Sequence, residues 1–137
     1  MKPSATRRDE LRRDAYVRFR NACDQAYRQL DRRWLEAGGS EPVPGYDEVY
    51  AAMRAVDEAY NLVLLEGPAQ VAEASRAVLT SLTTEYADQR RCRDEPGDVA
   101  APLRDRHRER WLAAIGARTN RRISFVNAVR PVVDRDE

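Results

Sequence analysis

His107 is the only histidine in the chain and, by residue type, the best candidate for general acid or base work. It lies four residues after Leu103 and four before Trp111, a spacing that can turn it toward the inside of a helical assembly. Proton transfer also needs a carboxylate to orient the ring and a pocket to receive a substrate. The flanking Arg106 and Arg108 provide neither, so His107 reads as an arginine-flanked surface or buried-edge residue. Metal chemistry fails on ligand count. A di-iron bundle site uses two Glu-x-x-His pairs and two facing glutamates, whereas here one histidine is preceded three positions earlier by Arg104. Zinc is equally short of ligands, because Cys23 and Cys92 form no CxxC motif. Cys23 falls on an apolar stripe and reads as a small core residue. Cys92, among Arg90, Arg91 and Arg93, has a setting that lowers a thiol pKa but no partner thiol for redox work. The chain therefore reads as a non-enzyme, with no metal and no cofactor.

What remains is recognition chemistry, carried by tyrosines and arginines. Lys2 is the only lysine among 24 basic side chains. The rest are guanidinium forks, suited to bidentate pairing with carboxylates or phosphates, although GC-rich coding explains the same bias. Charge is unevenly distributed. Residues 36–75 hold eight acids against one base, Arg54, while residues 103–123 hold seven arginines against Asp105 and Glu109. Either an acidic second helix lies beside a basic fourth helix within one molecule, or the two faces serve self-association or an external acidic partner. Arg104, Arg108, Arg118, Arg121 and Arg122 are the candidate contact arginines. Tyr16, on the flank of the first stripe, and Tyr46, at a loop junction, are the candidate contact tyrosines. Tyr27, Tyr50, Tyr60 and Tyr86 fall on inner stripes, where rings pack and hydroxyls reach an edge.

Those residues are positioned by helices. Apolar side chains recur at spacings of three and four, and Gly/Pro breaks at Gly38-Gly39 to Pro44-Gly45, Gly67-Pro68 and Pro96-Gly97 divide them into four segments. The pattern predicts helices over 4–37, 46–66, 68–93 and 98–130, with Pro131 ending the last and 131–137 a loose tail. Pro68 is expected in the first turn of the third helix, where its missing N–H costs nothing. The fourth helix is expected to bury Val99, Leu103, Trp111, Ile115, Ile123 and Val126, with Leu112 beside the stripe. The first helix is long enough to overhang, and Tyr16, Phe19 and Trp34 on that excess could meet a second copy. At 137 residues the chain reads as one domain, an all-α, antiparallel up-down-up-down four-helix bundle with a long N-terminal helix.

Arg12-Arg13-Asp14-Ala15-Tyr16-Val17-Arg18-Phe19 and Leu64-Leu65-Glu66-Gly67-Pro68-Ala69-Gln70-Val71-Ala72-Glu73-Ala74 resemble segments of small all-helical proteins of high-GC actinobacteria. Some of those proteins carry a membrane segment. The resemblance covers about half the chain and implies the helical fold, but that family has no established activity, so it transfers no functional residue. In this sequence the longest uncharged apolar runs, 59–65 and 111–117, are far below the roughly 20 residues of a membrane span. With no apolar stretch near the N-terminus and two unpaired cysteines, the expectation is a cytoplasmic protein. The expected function is a non-enzymatic interaction or adaptor module that binds a protein partner or itself. The alternative is nucleic-acid binding through the arginine-rich fourth helix, although a net charge of +1 and the lack of helix-turn-helix spacing weigh against it.

Overall fold

The computed structural model describes the backbone of residues 3–36, 47–94 and 101–133, and the side chains of residues 7–34, 47–91 and 108–133. Tyr46 and the side chains of Cys92, Arg104 and His107 lie outside the described residues. Four helices follow one another: α1 (Pro3–Glu36), α2 (Asp47–Glu66), α3 (Ala69–Asp94) and α4 (Ala101–Val133). No strand occurs among the described residues. The chain is an all-α up-down-up-down bundle, and its direction is fixed by contacts at both ends of α1. Near its start, Arg12 and Arg13 reach Glu66 at the end of α2 and Val133 at the end of α4. Near its close, Gln89 of α3 donates to Leu30 and Trp111 of α4 donates to Asp31.

In α2 the buried face is the one its spacing dictates. On α2, Val49, Ala52, Val56, Ala59 and Val63 follow a strict three-four alternation and are all buried. β-Branched valines are mediocre helix formers, so this helix owes its stability to packing rather than propensity. Small alanines between them let α2 lie close against the Phe19, Cys23, Ala26 and Leu30 ridge of α1. Val71, Val78 and Leu82 of α3 extend the same core, and Phe125 of α4 closes it with its ring 5.3 Å from that of Phe19. α4 packs on α3 and α1, while among the described residues α2 makes no packing contact with it.

The α2–α3 connection is a two-residue turn. Gly67 adopts a left-handed φ of +62°, and its N–H donates to Val63 O at 2.9 Å, a left-handed helix cap. Pro68 stands just before α3 rather than in its first turn, and its carbonyl accepts from Val71 and Ala72 at 3.1 Å each. α1 latches this turn. The Tyr16 hydroxyl donates to Gly67 O at 2.6 Å, and Arg12 Nε donates to Glu66 O at 3.0 Å, placing a cation at the carbonyl end of α2.

Several side chains depart from the sequence expectation. Tyr16 is buried rather than flanking, and Tyr50 is exposed rather than core. α1 extends beyond the bundle at its start: Arg12 and Arg13 are level with the last residues of α2 and α4, and Arg7, Arg8, Glu10 and Leu11 before them are exposed, although α4 itself runs past Pro131 to Val133. The helix survives that proline because Val132 and Val133 pack on the core and Arg13 Nη2 donates to Val133 O at 3.3 Å. Phe19 and Trp34, placed on a second-copy contact by the overhang idea, are buried within the chain.

The latched turn yields a direct test. Tyr16→Phe should lower stability by about 1 kcal/mol through loss of one hydrogen bond. Gly67→Ala should cost about 1–2 kcal/mol through backbone strain alone, since nothing lies within 4 Å of an added Cβ. Urea unfolding followed by far-UV circular dichroism reads both; a Gly67→Ala protein as stable as wild type would show that the left-handed turn is not required.

Candidate functional site

Arg118 of α4 is only 7% exposed and points into the bundle. Its Nε donates to Glu85 Oε1 of α3 at 2.7 Å, and its Nη2 donates to Glu85 Oε2. Its Nη1 pairs with Asp31 Oδ1 of α1 at 2.7 Å. The guanidinium also lies over the Tyr27 ring, 4.8 Å from its centroid. Both tryptophans of the chain join this group: Trp34 Nε1 donates to Glu85 Oε2 and Trp111 Nε1 donates to Asp31 Oδ1, each at 3.1 Å. One guanidinium thus ties α1, α3 and α4 together. Burial alone lowers the pKa of Arg118, but hydrogen bonds and charge from Glu85 and Asp31 outweigh it and hold the group firmly protonated.

Glu85 is 5% exposed and the only carboxylate among the buried described residues. Both of its oxygens are engaged by Arg118, with Trp34 as a third donor. It is a structural counter-ion rather than a free acid or base. Beside it a groove of about 600 Å³ opens between α3 and α4. Ala77, Ser81, Ala114 and Ala117 line its walls, and Glu73, Arg76, Asp88 and Arg121 contribute charge of both signs. The groove offers small-residue walls and mixed charge, not a convergent nucleophile and base. Among the described residues there is no cluster of three metal-ligating side chains and no helix long and apolar enough to cross a membrane.

Turning Arg118 inward sets the rotation of α4, and with it a second surface. Leu112 and Ile123 are 56% and 53% exposed, and Ile115 and Val126 are also exposed. These four were expected at the core or beside the core stripe; the inward face instead carries Trp111, Arg118, Phe125, Val129 and Val132. Arg108, Arg121, Arg122 and Arg130 are exposed on the same helix. Arg122 reaches Asp24 of α1 at 3.3 Å. Of the candidate contact residues, Arg108, Arg121 and Arg122 are therefore at the surface. Arg118 and Tyr16 are corrected to interior roles because Glu85, Asp31 and Gly67 O take up their polar atoms. Arg104 and Tyr46 lie outside the described residues.

Acidic α2 does not lie beside basic α4. The two helices make no packing contact, and α1 stands between their charges, with Arg32 reaching Glu48 of α2 at 3.6 Å and Asp24 reaching Arg122 of α4. Direct pairing of the second helix with the fourth, the intramolecular explanation of the charge asymmetry, is thereby overturned for the described residues. Sequence reasoning missed Glu85 and Asp31. The available signal was register: Glu85 follows Leu82 by three and Val78 by seven, a charge placed on an apolar stripe. No protein-family model, curated protein or solved structure matches the chain. The reading of this surface rests on its own geometry.

Removing the guanidinium with Arg118→Met leaves Glu85 buried without its cation and should cost about 3–5 kcal/mol. Because Trp34 donates to Glu85 and Trp111 to Asp31, the two carboxylates that Arg118 pairs with, tryptophan emission should shift to the red in the folded variant. Unchanged emission with wild-type stability would show that the network does not hold α4.

Cys23, also buried, gives a pH signature. Burial, reinforced by Asp24 and opposed by Arg122, pushes its thiol up from 9.0 to about 12. Below pH 9 both folded and unfolded states keep the proton. Between 9 and 12 only the unfolded chain sheds it, so stability falls as pH rises through that window. Cys23→Ala should make the alkaline fall in Tm shallower, and an identical slope in both proteins would count against this account.

Proposed function

We propose that this chain is a non-enzymatic interaction module whose binding face is the outer surface of α4, taking a protein partner or a second copy. The observation that carries the reading is the apolar stripe Leu112, Ile115, Ile123 and Val126, exposed on a helix that already buries a different face. A soluble bundle helix normally carries one apolar stripe, directed inward. A second stripe bordered by Arg108, Arg122 and Arg130 has the makeup of a docking face: apolar contact area with charge at its margin. Phosphate binding alone would use the arginines and leave the aliphatic side chains without a role, which favours a protein partner over nucleic acid. Glu85, saturated by its donors, supports the non-enzymatic part. A cytoplasmic setting goes with the reading and is supported by the free, buried thiol of Cys23.

The test places a photo-crosslinking amino acid at Ile123 and, as a control, at Val17, an exposed residue of α1. Crosslinking in host cells should give discrete, nuclease-resistant protein adducts at Ile123 that disappear with Ile115→Gln and are missing at Val17. Adducts that nuclease removes would move the assignment to nucleic acid. The same adduct pattern at both positions would leave α4 without a special role.

A further inference from the structure

α2 has an exposed face of its own. Tyr50, Leu64 and Leu65 are exposed on it, Leu65 at 78%, and Asp47, Asp57 and Glu58 accompany them with Arg54 as the only cation of the helix. The two outer faces are opposite in sign and match in length and level. From Tyr50 to Leu64 and from Leu112 to Val126 the separation is 14 residues in each case, about 21 Å along a helix. Adjacent residues of α1 set both heights. Arg32 reaches Glu48 of α2 while Asp31 accepts from Trp111 of α4, and Arg12 reaches Glu66 of α2 while Arg13 reaches Val133 of α4. Both helices run antiparallel to α1, hence parallel to each other, and their described residues do not touch. One molecule cannot bring its own two faces together.

We infer that the outer face of α4 docks on the outer face of α2 in a second copy of this chain, joining molecules head to tail. The inference rests on the α4 docking face proposed above and names its occupant. A sideways translation with little rotation aligns the two stripes at one height and opposes Arg108 to Asp47 and Arg122 to Asp57 and Glu58, with Arg130 beyond them at the level of Leu64 and Leu65. Pairing α4 with another α4 would instead set arginine against arginine, and pairing α2 with α2 would set acid against acid. Because the two faces differ and the translation does not close, each docked molecule leaves one face of each kind free, and the assembly grows as an open chain. The apolar content of each face is modest, so the association belongs to the weak class, and a concentration on the order of 10 µM at low salt is the centre of the range to search.

Sedimentation velocity on the full chain, from well below to well above that concentration, tests this together with two single-face proteins. One carries Ile123→Glu and Arg130→Glu on α4; the other carries Asp57→Arg and Leu64→Arg on α2. All substituted positions are exposed, and circular dichroism confirms folding. The wild type should pass beyond dimer as concentration rises, with association weakened several-fold by raising the salt to about 0.5 M. Each single-face protein should remain monomeric, and an equimolar mixture of the two should form a one-to-one dimer that grows no further. A wild type that stays monomeric throughout overturns the second copy as occupant; protein adducts at Ile123 would then leave the docking face itself standing. Either single-face protein still associating with itself overturns the head-to-tail geometry.

Discussion

The rotation of α4 depends on one guanidinium. Aliphatic packing between helices tolerates small slips and rotations at modest cost, because one methyl group resembles another. A five-donor planar fork does not. Arg118 has its carboxylate partners on α3 and α1 and an aromatic face on α1, so only one orientation of α4 satisfies all three. A buried ion pair adds little net stability over a well-packed apolar substitute, since desolvation consumes most of the attraction. Here its consequence is specificity. With Arg118 inward, Leu112, Ile115, Ile123 and Val126, about 60–140° further around the helix, are directed to solvent. The candidate docking face is therefore a product of the polar network beneath it.

α1, like α3, packs on each of the other three helices. Its start latches the α2–α3 turn through Tyr16 and Arg12, its middle packs Phe19 against Phe125, and its end supplies Asp31 and Trp34 to the Arg118 group. It also separates the acidic face of α2 from the basic face of α4, pairing with each through Arg32 and Asp24. The near-zero net charge of the chain thus conceals two opposed surfaces of opposite sign.

Much of the helix pattern was legible in the residues. The three-four alternation from Val49 to Val63 allows only one buried face, and Gly67-Pro68 marks its end unambiguously. The fourth helix was not legible in the same way. Trp111, Leu112, Ile115, Ile123, Phe125, Val126, Val129 and Val132 spread over about half of its circumference, so periodicity selects no single narrow stripe. The placement of Tyr50 and Tyr16 failed for a related reason. Tyrosine suits both core and surface, and only the carbonyl of Gly67, far away in sequence, draws Tyr16 inward.

The sequence by itself determined four helices, their breaks and the order in which short turns stack them, because these follow from local spacing and from glycine and proline conformations. Tertiary structure alone decided which way α4 turns, that Arg118 is interior while Arg108, Arg121 and Arg122 are not, and that α2 and α4 stand apart. Those outcomes rest on pairs such as Arg118 with Glu85 and Asp31, whose members lie 33 or more residues apart. A charge reads as a surface residue until the fold supplies the opposite charge that makes burial affordable.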